Sequence, residues 1–274
     1  MAMESKAEWK GTQYALNYAK RLEKLGLMPP QQPEMYQGRP IITRDSPRIN
    51  GGVYFINGFE ALVVDDTKDA KIKAVYDEVF AKVQNLKLTG FQYEKRVLKI
   101  VKQVVTRVMP YDHGDTRAEK YHQIYGDNRK LQLGLFIGAG VCRHQALLAG
   151  YVIEKLIEQN ILTGKVSVDR NWLKDDPTGH AWTRYVTQRE EVYIVDVAQN
   201  YFGKLSMWIR TQWPYARPDE LEKYKFVLTR IQEFIKKQTQ RRVERPENEP
   251  SDHVRFFKIK SEIKELMTNS HSTS

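Results

Sequence analysis

Gly140-Val141-Cys142-Arg143-His144-Gln145-Ala146-Leu147-Leu148 holds the only cysteine of the 274-residue chain. The stretch reads as a glycine-rich turn running straight into an amphipathic helix that continues to Asn160. A helix start offers backbone N–H groups without intrahelical partners and the positive end of the helix dipole, and both favour thiolate over thiol. The position therefore points to a reactive sulfur. One cysteine cannot form an intrachain disulfide, which fits a reducing compartment.

Downstream of the helix, residues 165–169, 180–187 and 192–197 alternate and branch as strands do. Two of them carry Gly179-His180-Ala181-Trp182 and Tyr193-Ile194-Val195-Asp196. The chain order is thus Cys, His, Asp, the parts of an activated sulfur nucleophile. A thiol of ordinary pKa, about 8.5, is only slightly ionised at neutral pH and needs a lowered pKa or a neighbouring base. His180 is the candidate base, and Asp196 is the residue that would hold the far ring nitrogen and fix the tautomer. If Gln188-Arg189-Glu190 is a three-residue turn, Thr187 pairs with Glu191 and Trp182 falls opposite Asp196. His180 and Asp196 then share one sheet face, diagonal to each other and roughly 5–8 Å apart. A register shifted by one residue separates them. Taken singly, each residue has a plainer use: a small core side chain, a structural histidine, a turn former. Their coincidence carries the reading.

Working outward, residues 7–25 form a helix closed by Gly26 and the Pro29-Pro30 pair, and the chain to Gly51-Gly52 reads as a connection. Val53-Tyr54-Phe55-Ile56 and Ala61-Leu62-Val63-Val64 flank Asn57-Gly58, a hairpin signal. Helices follow over 68–86 and 91–108, the second ending before Pro110, and residues 111–138 read as irregular. Beyond the strands, 218–240 is helical by periodicity, 245–250 a linker, 257–267 a last helix and 268–274 disordered. The organisation is a helical extension at 1–50, a catalytic core at 51–204 and a helical segment at 205–274. The fold class is α+β, a nucleophile-bearing helix packed on an antiparallel sheet.

The three motifs, in this order and with separations of 38 and 16 residues, resemble the core of the transglutaminase-like superfamily, a branch of the papain-like cysteine-peptidase fold. The resemblance covers roughly residues 90–200. It implies Cys142 as nucleophile, His180 as general base and Asp196 as orienting residue, in an enzyme that transfers acyl groups from protein or peptide amides: a glutamine deamidase, a transglutaminase or a protease. Members include bacterial effectors injected into host cells, so delivery to a host cell stands beside a cytoplasmic location as an expectation. Some members are inactive scaffolds, so a catalytically inactive papain-like binding module is the alternative. An arylamine acetyltransferase uses the same three residue types in the same order, which leaves small-amine acyl transfer open.

For the oxyanion, the Cys142 backbone N–H is one donor, with Gln132 and Tyr111 as side-chain candidates. His144, two residues past the nucleophile on a helix, points away from it and reads as structural or as a substrate edge. Asp112-His113-Gly114-Asp115 reads as a solvated turn rather than a metal site. Neither acidic calcium clusters nor paired cysteines for zinc are present, and the reading assigns no cofactor and no metal. Trp213-Pro214-Tyr215 is a candidate recognition surface, with core packing the default for its aromatics.

Composition sets the outer bounds. A hydrophobic share of 41% is enough for a packed interior. No run of about 18 apolar residues exists and the first thirty residues lack the apolar stretch of a secretory signal, so neither a membrane span nor export by that route is expected. The net charge of +10 is spread along the chain, apart from Lys236-Lys237 through Arg245, which argues against a specific nucleic-acid partner. The expected partner is a protein or peptide substrate.

Overall fold

A computed structural model describes residues 7–8, 10–26, 35–44, 46, 48–56, 60–87, 90–127, 129–173, 179–205 and 215–220. In chain order the elements are β1 (Ala7–Glu8), α1 (Lys10–Lys24), β2 (Met35–Tyr36), β3 (Arg39–Pro40), β4 (Val53–Ile56), β5 (Glu60–Val63), α2 (Ala70–Gln84) and α3 (Gly90–Val108). They continue with α4 (Thr116–Tyr125), β6 (Lys130–Gln132), a 3-10 turn (Leu133–Phe136), α5 (Cys142–Glu158), β7 (Lys165–Leu173), β8 (Gly179–Val186), β9 (Val192–Asp196) and β10 (Tyr201–Lys204). The class is α+β.

The chain divides into two compact units, one spanning Ser5–Tyr215 and the other combining Met1–Glu4 with Ala216–Ser274. In the second unit the described residues are 216–220, of which 218–220 are helical. The rest of the helix expected over 218–240, the linker at 245–250, the helix at 257–267, the disordered end and the basic cluster from Lys236 to Arg245 lie outside the described residues.

In the Ser5–Tyr215 unit the main sheet runs β1-β7-β8-β9-β10, antiparallel throughout. A second sheet, β4-β5-β6, joins the hairpin β4–β5 to a parallel strand β6. The two hairpin strands are apolar almost without alternation because both faces are covered. Val53, Phe55, Ala61 and Val63 pack with Ala15, Ala19, Tyr36 and Ile41, whereas Tyr54, Leu62 and Val64 turn into the main core. That core also takes the apolar stripes of α2, α3 and α5, including Val79, Val97, Val101, Leu148, Val152 and Leu156. Complete burial of a side chain of this kind contributes about 1.5–3 kcal/mol.

α5 lies unusually close to the main sheet at one place. A Cβ on Gly150 would stand 2.8 Å from Ile49 Cδ1 and 3.0 Å from Val168 Cγ2, so only glycine fits there without a shift. One helical turn past Cys142, the Ala146 carbonyl accepts a hydrogen bond from Thr183 Oγ1 at 2.8 Å, fixing α5 along β8. Farther along, the buried Glu154 carboxylate accepts the N–H groups of Ile49 and Asn50, each at 2.6 Å. The helix that bears the cysteine is therefore held at several points along its length.

Three sequence expectations are corrected. Residues 111–138 are not irregular: they form α4, β6 and the 3-10 turn. α4 buries only Ala118, so it lacks the apolar stripe by which a helix is read. Second, Ala7–Glu8 is a strand rather than the first turn of a helix, because it pairs with Trp172 and Leu173 on the edge of β7. Third, β7 runs to Leu173, past residue 169, and a further edge strand, β10, follows β9. Strand pairings of this sort are decided by partners distant in sequence.

Candidate active site

Gly140 closes the turn that delivers Cys142. Its N–H donates to the Pro110 carbonyl, its carbonyl accepts from Asp112 N–H, and a Cβ there would fall 2.9 Å from Met109 Sδ. The tight turn after α3 thus runs alongside the entry to α5 and leaves no room for a larger residue. Cys142 is the first residue of α5 and remains partly exposed.

The β8–β9 register pairs Thr183 with Val195 and Val186 with Val192, and the Thr187 N–H donates to Glu191 across the turn at 2.9 Å. Glu190, the last residue of that turn, adopts a left-handed conformation, as three-residue hairpin loops require. This is the register that sets His180 and Asp196 on one face. His180 Nε2 and Asp196 Oδ2 are 2.5 Å apart, and the two residues are 4% and 0% exposed. Nε2 is engaged by Asp196, and His180 lies close enough to Cys142 that each group shifts the ionisation of the other. The three residues, drawn from α5, β8 and β9, are thus brought together, with His180 and Asp196 hydrogen-bonded.

Electrostatics follow from that chain. Burial by itself raises the Cys142 thiol, but the hydrogen bond and charge of His180, the Arg143 guanidinium and the Ala181 N–H outweigh it and bring the thiol below its ordinary value. Burial works against a charged His180, yet the bonds to Asp196 and Cys142 prevail and push the imidazole up to about 9. Both shifts favour a thiolate facing an imidazolium.

Asp196 has further supports. Its Oδ2 accepts from the Tyr215 hydroxyl at 2.8 Å, and its Oδ1 from the Gln199 N–H at 3.0 Å. Tyr215 is completely buried, stacked on Tyr201 and edge-on to Trp182, whose own ring lies 5.8 Å from that of His180. The aromatic groups shield the His–Asp bond from water, which strengthens it. Tyr215 is the one described member of the Trp213-Pro214-Tyr215 stretch, and it faces inward onto Asp196.

On the other side of Cys142, Glu60 at the start of β5 accepts from Arg143 Nε and lies 2.9 Å from His144 Nε2 through the same oxygen, Oε1. Arg143 Nη2 also bonds Asp115 at 2.7 Å. His144 is fully buried, stacked on Phe136 at 3.7 Å, and accepts the Val141 N–H on Nδ1. It has a structural place rather than a substrate-edge one. Sequence reasoning passed over Glu60, although a charged residue opening the apolar run Glu60-Ala61-Leu62-Val63-Val64 was a signal of a buried partner.

Tyr111 lies beside Gly140 in a single parallel bridge, 40% exposed and edge-on to His113. Its hydroxyl is pushed up by burial and by the nearby Cys142 charge, which puts it within electrostatic reach of the thiol. Gln132 sits on β6 opposite Val63, and no contact among the described residues ties it to Cys142. Asp112 caps the start of α4 through Thr116 and Arg117, and Asp115 belongs to Arg143. Among the described residues no group of three or more His, Cys, Asp or Glu is placed to hold a metal ion, and no helix is long and apolar enough to cross a membrane.

No family model, curated protein or solved structure matches this chain.

Proposed function

We propose that this protein is a thiol-dependent acyl-transfer enzyme acting on protein or peptide amides, with a papain-like, transglutaminase-like core in which Cys142 is the nucleophile, His180 the acid and base, and Asp196 the residue that orients the imidazole. The observation that carries the reading is the convergence of Cys142, His180 and Asp196, with His180 hydrogen-bonded to the buried carboxylate, the thiol lowered and the imidazole raised. A core histidine and a core cysteine that only filled space would have no need of a buried carboxylate aligned behind them.

The chemistry follows from the charges. The Cys142 thiolate attacks the amide carbonyl carbon, and the developing oxyanion is met by N–H groups of the first turn of α5, which have no intrahelical partners. His180 gives its proton to the departing nitrogen as the C–N bond breaks, leaving a thioester on Cys142 and a neutral imidazole. The imidazole then takes a proton from water or an amine as that group attacks, the C–S bond breaks, and the ion pair is restored. Water gives deamidation or proteolysis; an amine gives cross-linking.

Hydroxylamine intercepts thioesters. Incubating the protein with hydroxylamine and a mixture of denatured proteins should yield Cys142-dependent hydroxamates, mapped by mass spectrometry. Hydroxamates on glutamine side chains identify a glutamine amide as acyl donor, and new C-terminal hydroxamates identify a peptide bond. A yield from Cys142→Ala equal to that of wild type would reject the proposal.

A further inference from the structure

Behind Cys142 lies a buried group of charges that the acyl-transfer steps do not use. Glu60 is 2% exposed, and a single oxygen of it, Oε1, is shared between Arg143 and His144, the two residues that follow the nucleophile. His144 accepts the Val141 N–H on Nδ1, so its proton is on Nε2 and is donated to Glu60. Val141 stands at the N-cap position, where its side chain offers no acceptor; the backward bond to His144 at the third helical position supplies the reciprocal half of a capping box instead. Arg143 spans from Glu60 to Asp115, a residue held in the left-handed conformation just before α4. The first turn of α5 is thereby fastened to β5 through Glu60 and to the α4 entry through Asp115.

We propose, resting on the catalytic reading above, that Glu60 is a positioning residue for the nucleophile: through Arg143 and His144 it fixes the first turn of α5 and holds the Cys142 sulfur in line with His180. The role depends on reach, because the carboxyl must meet a guanidinium and an imidazole at once. A side chain of the same length without the charge keeps both contacts as an acceptor. A charged side chain one methylene shorter cannot make both.

The test reads the alignment directly, as the pH dependence of Cys142 alkylation by iodoacetamide in the full-length protein, with near-ultraviolet circular dichroism as the check of folding. Wild type and His180→Ala set the scale: a depressed apparent pKa in the first and an ordinary one in the second establish the ion pair. Glu60→Gln is expected to follow wild type, and Glu60→Asp to move toward His180→Ala, with a loss of about tenfold in alkylation rate at pH 6 for each unit by which the thiol rises. Arg143→Lys keeps a positive charge beside Cys142 but cannot bridge two carboxylates as a fork, so it should show the same loss and serves if Glu60→Asp does not fold. A wild-type profile in folded Glu60→Asp or in Arg143→Lys overturns the proposal, as does an equal loss in Glu60→Gln, which would mean that charge rather than position matters. An ordinary pKa in wild type itself, unchanged in His180→Ala, defeats the catalytic reading and this proposal with it; a depressed wild-type value left intact by Glu60→Asp defeats this proposal alone.

Discussion

Asp196 is the residue on which the charge state of the site turns, since the carboxylate is wholly buried and spends one oxygen on both His180 and Tyr215. A thiolate–imidazolium pair exists above the lowered thiol value and below the raised imidazole value, so activity should follow a bell whose alkaline limb lies at about 9, where His180 loses its proton. Burial pulls His180 down, and removing the Asp196 charge removes the largest influence that raises it. Asp196→Asn should therefore move the alkaline limb down toward 6.5 or below, measurable in the pH profile of turnover or by NMR titration of the imidazole. An unmoved limb would mean that His180 is not held by this carboxylate. Tyr215→Phe keeps the ring packing and deletes one donor to Asp196; urea denaturation should show a loss of about 1–3 kcal/mol, the usual cost of leaving a buried charged acceptor short of a partner. His180 and Asp196 could be singled out from sequence because both stand in short, apolar strands. Tyr215 could not be assigned to Asp196, because its partner lies beyond a segment whose course no local pattern dictates.

Among the elements, α5 matters most, and its setting on the sheet depends on small residues. Gly150→Ala would drive a methyl into Ile49 and Val168 and push the helix off β7, at a cost of about 1–3 kcal/mol, read as a lowered thermal midpoint. A midpoint equal to wild type would show that α5 can rise from the sheet freely and would weaken the case for a rigidly held nucleophile. The helix and its partner strands were legible because their periodicity and turn chemistry agree: Gln188-Arg189-Glu190 forms the short turn that sets Thr187 against Glu191. α4, β6 and β10 were not legible. Each is short and partly exposed, and the two strands depend on pairing with β5 and β9 rather than on their own composition. The contribution of Glu60 was hidden for a similar reason, since Arg143 is 83 residues away in sequence.

For the whole molecule, the α+β arrangement brings α5, β8 and β9 together at one point, with the β4-β5-β6 sheet supplying support from behind. That support should leave a mark on stability. Burial would raise Glu60, but the Arg143 guanidinium and the hydrogen bonds from His144 and Arg143 outweigh it and hold the carboxyl at about 2, below its ordinary 4.5. A depressed carboxylate stabilises the folded chain above the unfolded value and loses that contribution as pH falls through the folded one. Stability should therefore decline between pH 4.5 and 2 by up to roughly 3 kcal/mol from this group, and the decline should shrink in Glu60→Gln, as followed by urea midpoints across that range. The central claim is that distant segments converge to make one ion pair, and its most direct measurement is the ionisation of the single cysteine, by iodoacetamide alkylation across pH in wild type and in His180→Ala. The account predicts a thiol that ionises well below the ordinary value of about 8.5 in wild type and returns toward it when the imidazole is removed. The same ordinary value in both proteins would contradict it.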